Sequence, residues 1–320
     1  MKGIKIIAGN ANKELAADVA RLLNVKLVNA DIGRFPNGEV RVQIHESVRK
    51  KEIFIIQSTC PPVDNNLMEL LVLIDALKRA SVGFVTVIMP YFGYSKQDKK
   101  KTGREPISSK LVAKMIEMVK VGRLVTIDLH APQIEGFFDI PVENLTAINM
   151  MAEYFRKKGL KNTVVVAPDA GGVKRARDLA NAMKAKRIAI IDKYRESYKH
   201  ASAMNVVGRV EGMDAIIIDD FIDTGGSMVE AIKAVKNHKA RRVYVAATHA
   251  LLTDKAPEKL KNAKGITEYI FTDTIPLSRE KRFKKVKVLS TAKMISNVIR
   301  RLSAGHSLHQ FRPSNGTKKG

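Results

Sequence analysis

The chain has 320 residues, 45% hydrophobic and 28% charged, which is ample for two globular domains and unlike a disordered or fibrous protein. Its formal net charge of +24 favours anionic ligands such as nucleotides, sugar phosphates or nucleic acid, and its single cysteine, Cys60, excludes an intrachain disulfide. The amino-terminal residues run into a strand without an apolar leader, and the longest apolar run, 67–77, is interrupted by Glu69 and Asp75. Neither a signal peptide nor a membrane span is expected, and a cytoplasmic location follows from the cysteine usage.

Strand-length apolar runs alternate with segments of helical period. In chain order they predict strand 4–8, helix 12–23, strand 54–59, helix 65–79, strand 85–89, helix 108–120 and strand 124–129. After a break at 141–148 come strand 163–167, helix 172–184, strands 187–191 and 215–218, helix 226–237, strands 243–248 and 286–289, and helix 291–302. Fully apolar strands between helices imply parallel sheets covered on both faces. The expected fold class is α/β, with two similar domains at 1–147 and 148–304 and a Gly/Ser/Lys-rich tail, 305–320, that reads as disordered. The positive charge is spread along the chain, with short runs at 99–101 and 281–285. Neither zinc-finger spacing nor an aromatic RNA-reading pattern accompanies it, so a nucleic-acid partner is not expected.

Several apolar strands end in a charged group: Asp128 and His130, Asp169, Asp192 and Lys193, and Asp219 and Asp220. In open parallel sheets ligands bind beyond the carboxyl ends of strands, so these ends are candidates for one site. The sharpest constellation is 218–227, Ile-Asp-Asp-Phe-Ile-Asp-Thr-Gly-Gly-Ser. Gly225 and Gly226 allow a tight turn that presents N–H groups, Thr224 and Ser227 add hydroxyls, and the following helix start attracts a phosphate monoester. Asp219 and Asp220 are suited to sugar hydroxyls or Mg²⁺ rather than to phosphate. Loop and acidic pair side by side describe a ribose 5-phosphate pocket.

This segment resembles the signature shared by type I phosphoribosyltransferases and ribose-phosphate pyrophosphokinases. The segments 34–39, 66–71, 90–98, 128–141 and 168–172 are similar to the pyrophosphokinases in particular, in order, across roughly 4–301. The resemblance implies two domains of type I phosphoribosyltransferase fold, assembled as a homo-hexamer. It implies an enzyme that moves the pyrophosphoryl group of Mg-ATP onto ribose 5-phosphate, giving phosphoribosyl pyrophosphate and AMP. It assigns ATP binding to Phe35, Asn37, Gly38, Glu39, Lys96, Gln97 and Arg104. It assigns ribose 5-phosphate binding to Arg195, Asp219, Asp220, Asp223, Thr224, Gly225, Gly226 and Ser227. His130 and Asp169 are implied to hold Mg²⁺, and Lys193 and Arg195 to be catalytic on a loop over the triphosphate. Lys96 and Lys99 stand where the family usually has arginine, which keeps charge but loses the planar fork. Tyr194 replaces a common basic residue and Pro132 a small one. The signature motifs of P-loop, dinucleotide-binding and H-E-x-x-H zinc enzymes are missing from the sequence. Two rivals are a phosphoribosyltransferase, which leaves the first half without a role, and a non-catalytic relative.

Overall fold

The computed structural model describes residues 3–194 and 203–313. The described residues form two compact units, one within Met1–Thr146, Thr274–Pro276 and Ser290–Arg312, the other within Ala147–Asp273 and Leu277–Leu289.

The first unit opens with β1 (Ile4–Ala8), α1 (Lys13–Leu23), and a hairpin of β2 (Ala30–Arg34) and β3 (Val40–Ile44). It continues through β4 (Glu52–Ile56), α2 (Val63–Arg79), β5 (Phe84–Met89), α3 (Ser108–Met118), β6 (Arg123–Ile127) and β7 (Val142–Leu145). Its parallel sheet runs β1-β4-β5-β6-β7, and β1 is bridged on its other side by Leu27 through Ile6. The strand order therefore reverses at β1/β4. Apolar faces of α2 and α3, including Leu70, Leu73, Ile74, Leu77, Val112 and Ile116, cover the buried β-branched residues of the sheet.

The second unit runs α4 (Ile148–Lys157), β8 (Thr163–Ala167), α5 (Val173–Met183), β9 (Arg187–Tyr194), β10 (Ala203–Val207), β11 (Asp214–Ile222) and α6 (Gly226–Asn237). Then follow β12 (Arg242–Ala250), α7 (Ala256–Lys261), β13 (Ile266–Thr272) and β14 (Val286–Leu289). The seven strands lie in the order β10-β9-β8-β11-β12-β13-β14, parallel except for the β9/β10 edge pair. The order reverses at β8/β11, which is where such sheets open a crevice for ligands. β8 and β11 read as continuous apolar runs because both of their faces are buried.

The α/β expectation and all nine anticipated strands are present. The hairpin β2/β3 escaped the sequence reading because it is half-exposed and polar on alternate residues, a weak signal. β7, β10, β13, α4 and α7 also went unrecognised; α4 begins within the stretch read as a divider. One correction concerns the chain's end. Residues 290–304, assigned to the second domain, and 305–312, assigned to a disordered tail, pack with the first unit. α8 (Ala292–Ser303) turns a stripe of Ala292, Ile295, Val298 and Ile299 inward and lies against α1. Arg300 donates to the Leu22 carbonyl, Thr146 N–H to the Phe311 carbonyl at 2.8 Å, and Arg312 makes two bonds to Glu143 at 3.0 and 2.6 Å. Amphipathic helices bury their stripe wherever a complementary face is available, and sequence adjacency does not identify that face. Residues 314–320 of the anticipated tail lie outside the described residues.

The amino ends of β11 and β12 are tied by charge. Asp214, fully buried, accepts two bonds each from Arg241 at 3.0 and 2.7 Å and from Arg242 at 2.9 and 2.6 Å. Burial pushes its carboxyl up, but hydrogen bonds from Arg242 and Arg241 outweigh this and hold it below the usual aspartate range. Because the folded-state value is lowered, the stabilisation is complete above the unfolded carboxylate's titration and is lost as pH falls through the folded one. Asp214→Asn keeps the shape, removes the charge and points an amide at arginine donors. A loss of about 2 kcal/mol in unfolding free energy is expected, discounted because both arginines are half-exposed. Denaturant titration at neutral pH checks this, and the variant should lose less stability than the parent on acidification.

Candidate active site

The carboxyl ends of β8 and β11 form a cavity of about 160 Å³ lined by Pro168, Asp169, Asp219, Phe221, Ile222, Asp223, Thr224, Gly225, Ser227 and Met228. Asp169, Asp219, Asp223, Thr224, Gly225 and Ser227 are thus brought to one crevice, at the reversal of strand order. Gly225 has φ +73°, a left-handed conformation that L side chains rarely adopt, and it is the N-cap of α6. As no side chain caps α6, its first-turn amides are left for an anion.

The loop is clamped from the segment after β12. Thr253 donates its hydroxyl to Asp223 Oδ1 at 2.6 Å and its N–H to the Asp223 carbonyl at 3.1 Å. Leu252 N–H donates to the Ile222 carbonyl at 3.0 Å, and Lys259 Nζ to the Thr224 carbonyl at 3.3 Å. A cradle fixed before its ligand arrives loses little freedom on binding.

The acidic pair divides between two environments. Asp219 lines the cavity, whereas Asp220 is buried at 2% exposure and does not. Both carboxylates still lie beside one guanidinium, so the split is one of depth along the strand end rather than of sheet face. Gly226, expected in the pocket with Asp220, is likewise absent from the lining. Arg175 on α5 lies 3.4 Å from Asp219 Oδ1 and 3.5 Å from Asp220 Oδ1. Burial first, then the neighbouring Asp220 carboxylate, pushes the Asp219 carboxyl well up, while Arg175 draws it down. Two carboxyls this close do not both ionise readily, so the pair is disposed to share a proton until a cation or a hydroxyl donor arrives.

Asp169 is exposed at the cavity, and its Oδ1 accepts the Gly172 N–H at 3.0 Å, capping the short turn before α5. Lys193, expected on a loop, instead lies in β9 opposite Met204, three residues beyond Ile190, which pairs with the last residue of β8. The β9/β10 pair therefore continues about 10 Å beyond the end of β8, on the crevice side. Arg195, read as catalytic and sugar-binding, falls outside the described residues.

In the first unit, Phe35, Asn37, Gly38 and Glu39 form the tip of the β2/β3 hairpin. Gly38 N–H donates to the Phe35 carbonyl at 2.8 Å, and Phe35 N–H to the Glu39 carbonyl at 2.8 Å. Phe35 is 47% exposed. A large aromatic held open on a turn beside amide and carboxylate groups is a platform for a planar base. Gln97 accepts the Ser108 hydroxyl on Oε1 at 2.6 Å, which leaves its amide nitrogen as donor. Lys96 is half-buried beside it, and Arg104 is exposed on a loop organised by Glu105. Both segments are anchored to the start of α2: Arg34 donates to the Asn65 carbonyl at 3.4 Å, and the Tyr94 hydroxyl to Asp64. His130 is exposed after β6.

Arg175, Thr253 and Lys259 went unrecognised in the sequence. Arg175 sits six residues after Asp169 on the next helix, a signal hidden among 56 lysines and arginines. Thr253 and Lys259 belong to no motif and reach the loop only through the fold.

A sugar-phosphate cradle at the switch point of a parallel sheet places the chain in the class of phosphosugar-handling α/β proteins. Residues 4–119 match the family model for the N-terminal domain of ribose phosphate pyrophosphokinase, and 193–312 that of the phosphoribosyl synthetase-associated domain. The chain is 47% identical to the ribose-phosphate pyrophosphokinase of Caldanaerobacter subterraneus over 96% of its own length and 97% of the relative's. It is 46% identical to that of Fusobacterium nucleatum over 96% and 98%. The crystal structure of phosphoribosylpyrophosphate synthetase from Mycobacterium smegmatis superposes with a TM-score of 0.89 at 40% identity, covering 95% of this chain and 100% of that one. The chain belongs to the ribose-phosphate pyrophosphokinase family.

Proposed function

We propose that this chain transfers the pyrophosphoryl group of Mg-ATP to the C1 hydroxyl of ribose 5-phosphate, releasing AMP. The observation that supports it most directly is the clamped 223–227 loop with Asp219 beside it in one cavity. Amides and hydroxyls of Thr224, Gly225, Gly226 and Ser227 take the 5-phosphate, and Asp219 takes ring hydroxyls. The C1 oxygen attacks the β-phosphorus in line. The bond from that phosphorus to the bridging α-phosphate oxygen breaks, AMP departs with the electron pair, and the hydroxyl proton passes to solvent. Lys193 and Arg195 neutralise charge growing on the transferred group, because this chemistry depends on positioning and electrostatics more than on covalent help. Phe35 stacks on adenine, with Asn37, Glu39 and Gln97 at the base edge and Lys96 and Arg104 toward the phosphates.

Magnesium arrives with ATP as part of the substrate and offsets the triphosphate's charge. Among the described residues there is no cluster of three or more His, Cys, Asp or Glu side chains that could hold a metal. Asp169, exposed with one oxygen engaged by Gly172, suits an ion that keeps most of its waters and phosphate ligands, and His130 is assigned to the same ion. No helix among the described residues is long and apolar enough to cross a membrane. The cytoplasm as location and the homo-hexamer as assembly belong to this reading; mass photometry of the purified protein tests the second.

The decisive assay supplies ATP, Mg²⁺ and ribose 5-phosphate and measures AMP. AMP formation that needs the sugar is expected; ATP hydrolysis indifferent to the sugar would remove the reading. Phe35→Ala should raise KM for ATP about tenfold, the lower part of the range for losing one base–aromatic stack, with KM for ribose 5-phosphate unchanged. Steady-state kinetics with each substrate varied in turn provides the check.

A further inference from the structure

The first unit has its own reversal of strand order, at β1/β4, and the crevice expected there is occupied by protein side chains. Gln57, at the end of β4, is fully buried, and Glu69, on the inner face of α2, is 5% exposed. Glu69 Oε1 accepts Asn10 N–H at 2.7 Å and Gln57 Nε2 at 3.0 Å, and Oε2 accepts Asn10 Nδ2 at 2.7 Å. Gln57 Oε1 in turn accepts Ala11 N–H at 3.0 Å, and its Nε2 also reaches the Asn66 carbonyl at 3.2 Å. The packing is tight: a Cβ on Gly9 would lie 2.1 Å from Gln57 Oε1.

Burying a carboxylate is costly unless donors surround it, and here neutral amides supply them. The network also has an outlet. Asn10 Nδ2 donates to the Ile32 carbonyl on β2 at 3.1 Å, three residues before Phe35. One amide therefore joins the buried carboxylate to the strand that carries the exposed hairpin tip. Among the described residues β2 pairs in a two-stranded sheet with β3, outside the main sheet, and its other ties include the Arg34 bond to the Asn65 carbonyl and the packing of Ala30 and Ile32 on the core.

We propose that Glu69 is a positioning residue for the nucleotide: through Asn10 it fixes the β2/β3 hairpin at the height where Phe35, Asn37 and Glu39 meet the base. This rests on the assignment of the hairpin to ATP made above. It predicts a selective defect. Glu69→Gln preserves volume but turns one acceptor into a donor facing the donors of Asn10 and Gln57. The hairpin then samples more positions, and only the substrate that it holds is affected.

The test is steady-state kinetics of AMP formation by the full chain, for the parent, Glu69→Gln, Asn10→Ala and the double variant, with thermal melting of each. Expected is a KM for ATP raised about tenfold in each single variant. Expected too are kcat and KM for ribose 5-phosphate within about twofold of the parent, and a double variant no worse than the singles because both act through one link. Equal losses for both substrates, a fall in kcat alone, or an unchanged KM for ATP would overturn the proposal. If Glu69→Gln fails to fold, Asn10→Ala, at a half-buried position, decides by the same criteria. A parent that makes no sugar-dependent AMP would instead refute the functional reading.

Discussion

Replacing Lys193 with alanine is expected to lower kcat by about 10²–10³-fold while leaving KM for both substrates within a few-fold of the parent. The reason lies in when the charge is needed. In the ground state the triphosphate's charge is met by Mg²⁺ and by binding-loop cations. In the transition state additional charge gathers on oxygens around the transferred β-phosphorus, and in the role proposed for Lys193 its ammonium stabilises that state selectively. β9 carries Lys193 beyond the end of β8 and pairs it with Met204, so its backbone is set by a strand ladder. An interaction made mainly in the transition state shows as a loss in kcat and an equal loss in kcat/KM. Single-turnover AMP formation measures the chemical step directly. A rise in KM with kcat preserved would recast Lys193 as a binding residue.

The second large effect concerns the acceptor. Asp219→Ala should raise KM for ribose 5-phosphate about 10–100-fold, the range for losing hydrogen bonds to a carboxylate, with KM for ATP little changed. Asp219 is the member of the acidic pair that lines the cavity; Asp220 is buried behind it. Removing Asp219 also takes away the neighbour that crowds Asp220, and leaves Arg175 beside Asp220 alone. Folding stability therefore has a signed component. A carboxyl whose folded value is raised contributes stability at low pH and loses it as pH rises through that value. The parent should lose more stability than Asp219→Ala between acid and mildly alkaline pH in the absence of ligand. Calorimetric titration with ribose 5-phosphate and melting across pH measure the two effects. Unchanged sugar affinity would place the acceptor elsewhere.

What the sequence disclosed and what it withheld follow from how each feature is encoded. The 219–227 cradle was readable because its strand, acidic residue, glycine turn, hydroxyls and helix start are contiguous, and each element demands particular residue types. Asp169 was readable for the same reason, as a polar break at the end of an apolar strand. Which of Asp219 and Asp220 lines the cavity was hidden, because the two are adjacent, alike in chemistry and both within reach of Arg175. Arg175, Thr253 and Lys259 act across the fold on a loop many residues away, and nothing adjacent to them in the chain marks the partnership. Glu69 stood out only as a charge interrupting an apolar run and as part of the family-like segment 66–71; its inward orientation depends on Asn10 and Gln57, which arrive from the segments just after β1 and β4. The return of α8 to the first unit was hidden because an amphipathic stripe states that a surface will be buried, not which one.

The plugged crevice at β1/β4 bears on stoichiometry. A chain built from two halves of like design would in principle offer two seats for a phosphorylated pentose. Gln57 and Glu69 take up the first of them, and Gly9 is packed so closely that even a methyl group there would collide. On the proposed reading the acceptor then has one seat per chain, in the cavity at the ends of β8 and β11.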